Sequence, residues 1–283
     1  MKTIKNQLFK NLTLLLSLSI AISCGETVEL PNRQYELVWE DNFDGTTGDS
    51  PNAANWDFET GTGINGWGNQ ELQNYTNRPE NVSLDGKGNL IITAIQESFG
   101  GSNYTSGRII TKDKQEFQYG RIEARLKTPF SQGLWPAFWM LGADIETVPD
   151  NDETTVVWPQ AGEIDIMELR GQEPSTIAGS IHGPGYSGGN AVSSDFILDD
   201  ARFDTEFHVF AVEWGPDFID FFVDDQLYQQ LTPESLPEGS EWVFNKEFFI
   251  LLNVAVGGNY VGNPNDNSRF PQTMTVDYVR VYQ

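Results

Sequence analysis

Three carboxylates, Glu163, Asp165 and Glu168, stand close together in the run GEIDIMEL at 162–169, and the positions between them are apolar. Two neighbouring carboxyl groups can divide the work of nucleophile and general acid, and a third can hold or direct the proton between them. The isoleucines favour a strand. Along a strand Glu163 and Asp165 share one face while Ile164 and Ile166 share the other. Plain alternation would put Glu168 on the apolar face, so one extra residue at or beside Met167, a β-bulge, is expected to return it to its partners. Ile164, Ile166 and Leu169 should then enter a core, and the three acids should line an open surface. With the bulge absorbed, Glu163 and Glu168 lie about four strand steps apart, roughly 13 Å between Cα atoms at about 3.3 Å per residue. Side chains leaning together would close this to roughly 5–6 Å, near the spacing at which one carboxylate attacks a sugar carbon and another protonates the leaving oxygen. A solvated strand face in an acidic chain would show the same bare pattern, so the flanking sequence must decide.

The elements that would carry these residues read as strands. Short β-branched or aromatic runs recur at 90–95, 121–127, 208–214, 219–223, 248–256 and 273–282, separated by clusters of Gly, Asn, Asp and Pro. No long segment carries a helical period. The pattern is all-β, and about 250 residues suit one sandwich domain. Residues 133–142 (GLWPAFWMLG), read as a strand, put Trp135, Ala137 and Trp139 on one face and Leu134, Phe138 and Met140 on the other. Tryptophans on the acid-bearing face would offer flat surfaces to pyranose rings, although tryptophan also serves well in a core. His182 lies among Gly179, Gly183 and Gly185, whereas His208 opens an alternating strand and reads as structural.

The segment from Glu163 to Glu168 resembles the catalytic signature of glycoside hydrolase family 16, in the longer, bulged form of its laminarinase-like members. Further blocks resemble the family in order: 67–76 (WGNQELQNYT), 133–142, 180–187 (SIHGPGYS), 207–214 (FHVFAVEW) and 252–258 (LNVAVGG). The resemblance runs from about residue 36 to 283. It implies a β-jelly-roll sandwich of two curved antiparallel sheets, concanavalin A-like, with a sugar chain across the concave one. It implies a retaining endo-β-1,3-glucanase in which Glu163 is the nucleophile, Glu168 the acid/base and Asp165 their assistant, with no cofactor required. Asn69, Glu71, Arg108, Trp135, Trp139 and His182 match substrate-binding positions, His182 beside the leaving-group sugar. For Arg108 an ion pair, and for Glu71 a bracing role in its loop, are the alternatives. Glu40, Gly88 and Asp277 fall near a structural Ca²⁺ site of relatives, and hard oxygen donors suit that ion. Two histidines and one cysteine are too few for the usual zinc sets. The rival readings are a mixed-linkage β-1,3-1,4-glucanase, an agarase, and a noncatalytic glycan-binding protein. A lyase is disfavoured, because it would need basic residues or a metal against a uronate.

Lys2, Lys5 and Lys10 precede an apolar stretch from about 12 to 22, which reads as an export signal and is too short to span a membrane. It ends at Cys24, the one cysteine, in AISCG at 21–25, which resembles a bacterial lipoprotein box with alanine at the position where leucine is usual. Ordinary cleavage near Ser23 is the alternative. The expected organisation is signal peptide 1–23, anchor and tether 24–35 and catalytic domain 36–283, on a monomer exported to the outer membrane or cell surface, otherwise periplasmic or secreted. Residues 1–23 hold three lysines and no acids, so their removal takes the formal charge from −24 to −27. Such a surface repels nucleic acid, anionic membrane and sulfated polysaccharide but not a neutral β-glucan. The only membrane contact expected is the lipid anchor. Asp144, Glu146, Asp150, Asp152 and Glu153 crowd the segment 144–160, which is expected to be a solvated loop near one rim of the cleft.

Overall fold

The catalytic strand is Glu163–Leu169, and it runs in the interior of a sheet between Leu134–Gly142 and Thr176–His182. In the computed structural model, which describes residues 33–146 and 155–283, this sheet has eight strands, and a second sheet of ten lies against it. Residues 1–32 and 147–154, and with them the signal, Cys24 and the acids Asp150, Asp152 and Glu153 of the acidic segment, lie outside the described residues. Among the described residues the helical pieces are single short turns such as Gly66–Gln70 and Gly188–Asn190. Tyr35–Gln283 form one unit.

Strand chemistry follows the alternation. In Gly120–Lys127, Ile122, Ala124 and Leu126 enter the core while Arg121, Arg125 and Lys127 turn outward. Its neighbour Gln272–Tyr282 sends Met274, Val276, Val279 and Val281 inward, with a register shift between Val276 and Tyr278 that keeps the later valines on the core side. The predicted strand at 248–256 is Phe248–Val256, and all of it is buried. Phe248, Ile250, Leu252, Val254 and Val256 join the core between the sheets. On the opposite face Phe249 and Leu251 pack with Leu141 and Trp139. The acid-bearing face therefore has an apolar floor at one end, which alternation alone did not anticipate.

The bulge lies where parity requires it. On one side Asp165 pairs with Trp139 and Met167 with Phe138, so Ile166 is extra; on the other Asp165 pairs with Ser180 and Glu168 with Ala178. Ile164, Ile166, Met167 and Leu169 all enter the core. At about 1.5–3 kcal/mol for each buried apolar side chain, this face holds the strand's register firmly. Gly162 precedes it with φ +77, a conformation that L residues rarely adopt, and an added Cβ would meet Phe248 and Val243 at 3.0 Å. Pro136, an unusual residue in an interior strand, sits where pairing with the catalytic strand has stopped at Ala137.

Deleting Met167 converts the run to a regular alternation that keeps all three acids on one face. The expected product folds cooperatively but is destabilised by about 2–5 kcal/mol, the usual effect of removing a buried methionine. An alanine inserted beside Met167 should instead turn Glu168 into the core and abolish the cooperative melt, as circular dichroism would record.

Candidate active site

Sheet register sets the site as a grid. Glu163 lies between Leu141 and His182, Asp165 between Trp139 and Ser180, and Glu168 between Ala137 and Ala178. Each acid is therefore held by a strand pair on both sides. The face is less open than alternation suggested, because Asp165 is only 3% exposed and Glu163 and Glu168 are half-buried. Neighbouring side chains from the two flanking strands and from residue 158 close over them.

Each glutamate has an indole donor. Trp135 Nε1–H donates to Glu168 Oε1 at 2.8 Å, and Trp158 Nε1–H donates to Glu163 Oε2 at 3.0 Å. His182 stands beside the acids, opposite Glu163 on the neighbouring strand. Its Nε2 lies 3.0 Å from Asp165 Oδ2 and 3.6 Å from Glu163 Oε1. Its Nδ1 accepts the Gly188 N–H at 3.0 Å, so the neutral ring carries its proton on Nε2, facing the acids.

Burial, reinforced by the neighbouring anions, pushes the carboxyl groups of Glu163 and Glu168 up to about 8. Burial likewise raises Asp165 to about 8, opposed by a hydrogen bond with Glu163. Desolvating a lone carboxylate costs several kcal/mol, so acids this close cannot all ionise, and their protons belong to the cluster. One oxygen or nitrogen each from Glu163, Asp165 and His182 lie within 4.8 Å of one another, which is compact enough for a metal ion. The donor chemistry does not fit one. A metal on Nε2 would move the ring proton to Nδ1, against the Gly188 N–H.

Arg108 lies against the rings of Trp67 and Trp139, at 4.6 and 4.8 Å from their centroids, and pairs with Glu59, the ion-pair alternative expected for it. Trp139 gives its N–H to Asn253 Oδ1 at 2.7 Å, and Asn253 donates to the Tyr75 hydroxyl at 3.1 Å. Tyr75 donates in turn to Glu71 Oε2 at 3.2 Å, where Gln73 Nε2 also donates at 2.6 Å. Asn69 Nδ2 reaches Glu71 Oε1 at 3.5 Å. Burial raises the Glu71 carboxyl, opposed by these donors and by Arg108. Glu71 thus braces the loop after Gly66–Gln70 against the sheet, with Asn69 beside it. Trp135 keeps one ring contact, with Tyr260 at 5.0 Å, while its edge serves Glu168.

His208 pairs with Asp224 at 2.6 Å on the other sheet, as a structural residue should. Glu40 is paired with Arg280 at 3.1 Å and Asp277 with Arg125, while Gly88 lies near the Asn42 carbonyl. Each ion pair engages one carboxylate oxygen, so the second oxygens of Glu40 and Asp277 and the backbone carbonyls are the hard donors that a structural Ca²⁺ of the kind the resemblance implies would take. Of the acidic segment, Asp144 is paired with Lys246 at 2.8 Å and Glu146 N–H donates to the Val156 carbonyl at 2.7 Å.

Trp158 and Asn253 are the functional residues that sequence reasoning missed. Asn253 was detectable as the lone polar side chain in an apolar strand. Trp158 was hidden in a segment read for its acids.

Residues 69–280 match the family described as Glycosyl hydrolases family 16. A β-glucanase of Rhodothermus marinus is 41% identical over 278 residues, covering 94% of this chain and 92% of that protein. The laminarinase catalytic domain of Thermotoga maritima superposes with a TM-score of 0.80 at 42% identity, over 89% of this chain and 99% of that one. The endo-β-1,3-glucanase of Pyrococcus furiosus gives 0.81 at 43%, over 90% and 97%. With the bulged acid strand, its two indole-anchored glutamates and the two-sheet jelly roll all in place, the chain belongs to glycoside hydrolase family 16.

Proposed function

We propose that the protein is a retaining endo-β-1,3-glucanase that hydrolyses neutral, laminarin-type glucan by double displacement. The observation that carries this reading is the pair Glu163 and Glu168 on one strand face, each held by an indole N–H, with Asp165 between them and His182 beside Asp165. A pair of acids on one face of the sheet can serve one sugar ring without a metal. Catalysis in this family needs no cofactor.

In the first step Glu163, ionised, bonds to the anomeric carbon while the glycosidic C–O bond breaks and Glu168 gives its proton to the departing oxygen. In the second, Glu168, now ionised, takes a proton from water, whose oxygen bonds to the anomeric carbon and releases Glu163. Burial and the Asp165 charge raise both glutamates, and an indole N–H opposes the rise at each, so the cluster exchanges protons near neutrality while the division into nucleophile and acid/base rests on the family signature. The desolvation that raises Glu168 to about 8 keeps it protonated for the first step and leaves it a competent base for the second, near neutral pH.

The sequence of the segment 1–24 supports export and a lipid anchor on Cys24, with the catalytic domain acting as a monomer. Cys24→Ser should then move the activity from the membrane fraction to the soluble one; identical partitioning of the two forms would refute the anchor.

Glu163→Ala should reduce turnover of an activated β-glucoside by at least about 10³-fold, and azide should restore it as the α-glycosyl azide. A Glu163→Ala enzyme of ordinary activity would sink the assignment. Product profiles on laminarin, lichenan and agarose should show oligosaccharides chiefly from laminarin; preference for lichenan would move the reading to mixed-linkage glucan.

The raised acids also govern stability. A carboxyl group whose pKa is higher folded than unfolded binds its proton more tightly in the native state, so its contribution is present at low pH and is lost as pH rises from about 4.5 through about 8. Glu168→Gln removes that loss. The variant should melt close to wild type at pH 4 and several degrees higher at pH 9, by differential scanning calorimetry.

A further inference from the structure

Trp158 lies outside every block that resembles the family signature, yet it touches the nucleophile. The chain from 155 to 162 folds back onto the start of the catalytic strand through the Ala161 N–H to the Val157 carbonyl at 3.1 Å and the Gly162 N–H to the Pro159 carbonyl at 3.0 Å. The Gly142 N–H donates to the Gly162 carbonyl at 3.1 Å, tying this turn to the neighbouring strand. These bonds aim the indole at Glu163. Its Nε1–H meets Oε2 at 3.0 Å, its ring lies 6.0 Å from His182, and 44% of the residue remains exposed. A large apolar side chain so exposed is not there to fill a core.

The two glutamates are served differently. Glu168 takes its indole bond from Trp135, which sheet pairing on a central strand holds in place. Glu163 takes its indole bond from a loop, and its other oxygen is 3.6 Å from His182, too far for a good hydrogen bond. Burial and the Asp165 charge both favour a proton on Glu163, which would silence a nucleophile; His182 and the Trp158 N–H oppose them, and of the two only the indole is within hydrogen-bond reach of Glu163. A donor to a carboxylate stabilises the ionised form and fixes which lone pairs stay free for attack.

We propose that Trp158 is a positioning residue for the nucleophile: its Nε1–H pins Oε2 of Glu163, favours the charged form of that carboxylate and leaves Oε1 to bond the anomeric carbon. This rests on the reading of Glu163 as nucleophile given above. The proton that Glu163 gives up stays within the cluster, on Asp165 or Glu168, so no outside acid is required. The segment that carries Trp158 therefore contributes to the chemistry and not only to the rim.

Trp158→Phe keeps an aromatic ring and removes the N–H. With laminarin as substrate, kcat should fall on the order of 10- to 100-fold with KM within about twofold, and the acid limb of the kcat/KM profile should move to higher pH, because Glu163 becomes harder to ionise. Trp158→His, which can restore an N–H, should bring the acid limb part of the way back. Wild-type kcat and acid limb in Trp158→Phe would overturn the proposal. A lower kcat with an unmoved acid limb would overturn it too, because a purely structural role predicts that result. Should Trp158→Phe fail to melt cooperatively, the same pH profile is read on enzyme in which tryptophan is replaced by 7-azatryptophan, whose stronger N–H donor should move the acid limb to lower pH; no movement there overturns the proposal. Glu163→Ala keeps the two readings apart. If it is inactive and rescued by azide while Trp158→Phe behaves as wild type, only the role of Trp158 fails; if Glu163→Ala is active, the function itself fails.

Discussion

Three carboxyl groups held side by side out of water are the constraint on which the rest of the site depends. They cannot all ionise, and the energy of forcing them to do so would exceed anything one strand face could supply. Their apolar backs make the arrangement possible: Ile164, Ile166, Met167 and Leu169 are locked in the core and hold the strand in place whatever the front face would prefer. The surrounding polar groups then distribute the protons. Trp135 and Trp158 each donate to one glutamate, and His182 Nε2 lies 3.0 Å from Asp165 Oδ2. The result is a set of acids raised to about 8, poised to exchange protons near neutrality.

The bulge reconciles two requirements that a regular strand of this length cannot meet together. A seven-residue strand with strict alternation would have buried Glu168 among the isoleucines. One unpaired residue at 166 restores the acid to the cleft side and still leaves Met167 in the core. Bulges also increase local twist. Its position between the nucleophile and the acid/base means that the spacing of the two groups and the continuity of the core are set by the same irregularity.

Beyond the acids, a second polar chain runs from Trp139 through Asn253 and Tyr75 to Glu71, with Arg108 packed on the indole faces of Trp67 and Trp139. From Trp139 to Glu71 each group has a hydrogen-bond partner, whereas the buried Trp67 Nε1–H and Arg108 Nε–H make no hydrogen bond among the described residues, the latter facing Glu59 as an ion pair. Buried polar networks of this kind are rigid when complete, because each lost partner would leave another group unpaired and desolvated. A sugar chain crossing this floor meets side chains that are already oriented. The formal charge of −24 disfavours a polyanion more than a neutral glucan.

Much of this was legible in the sequence because it depended on parity. The strand at 248–256, the core side of 134–142 and the bulge beside Met167 all follow from which side chains must avoid water, and so does the grouping of Glu163, Asp165 and Glu168. The ordered family blocks added roles that alternation could not assign. What the sequence left open were contacts between segments far apart in the chain or hidden in irregular backbone. Nothing in the sequence placed His182 opposite Glu163, which strand pairing does, or brought Gln73 and Tyr75 onto Glu71. Trp158 was one tryptophan in a segment read for its acids until the turn at 159–162 swung its indole onto the nucleophile. Periodicity reports the face on which a residue lies; the partner it meets there depends on strand order, register and loop path, which only the assembled sheets decide.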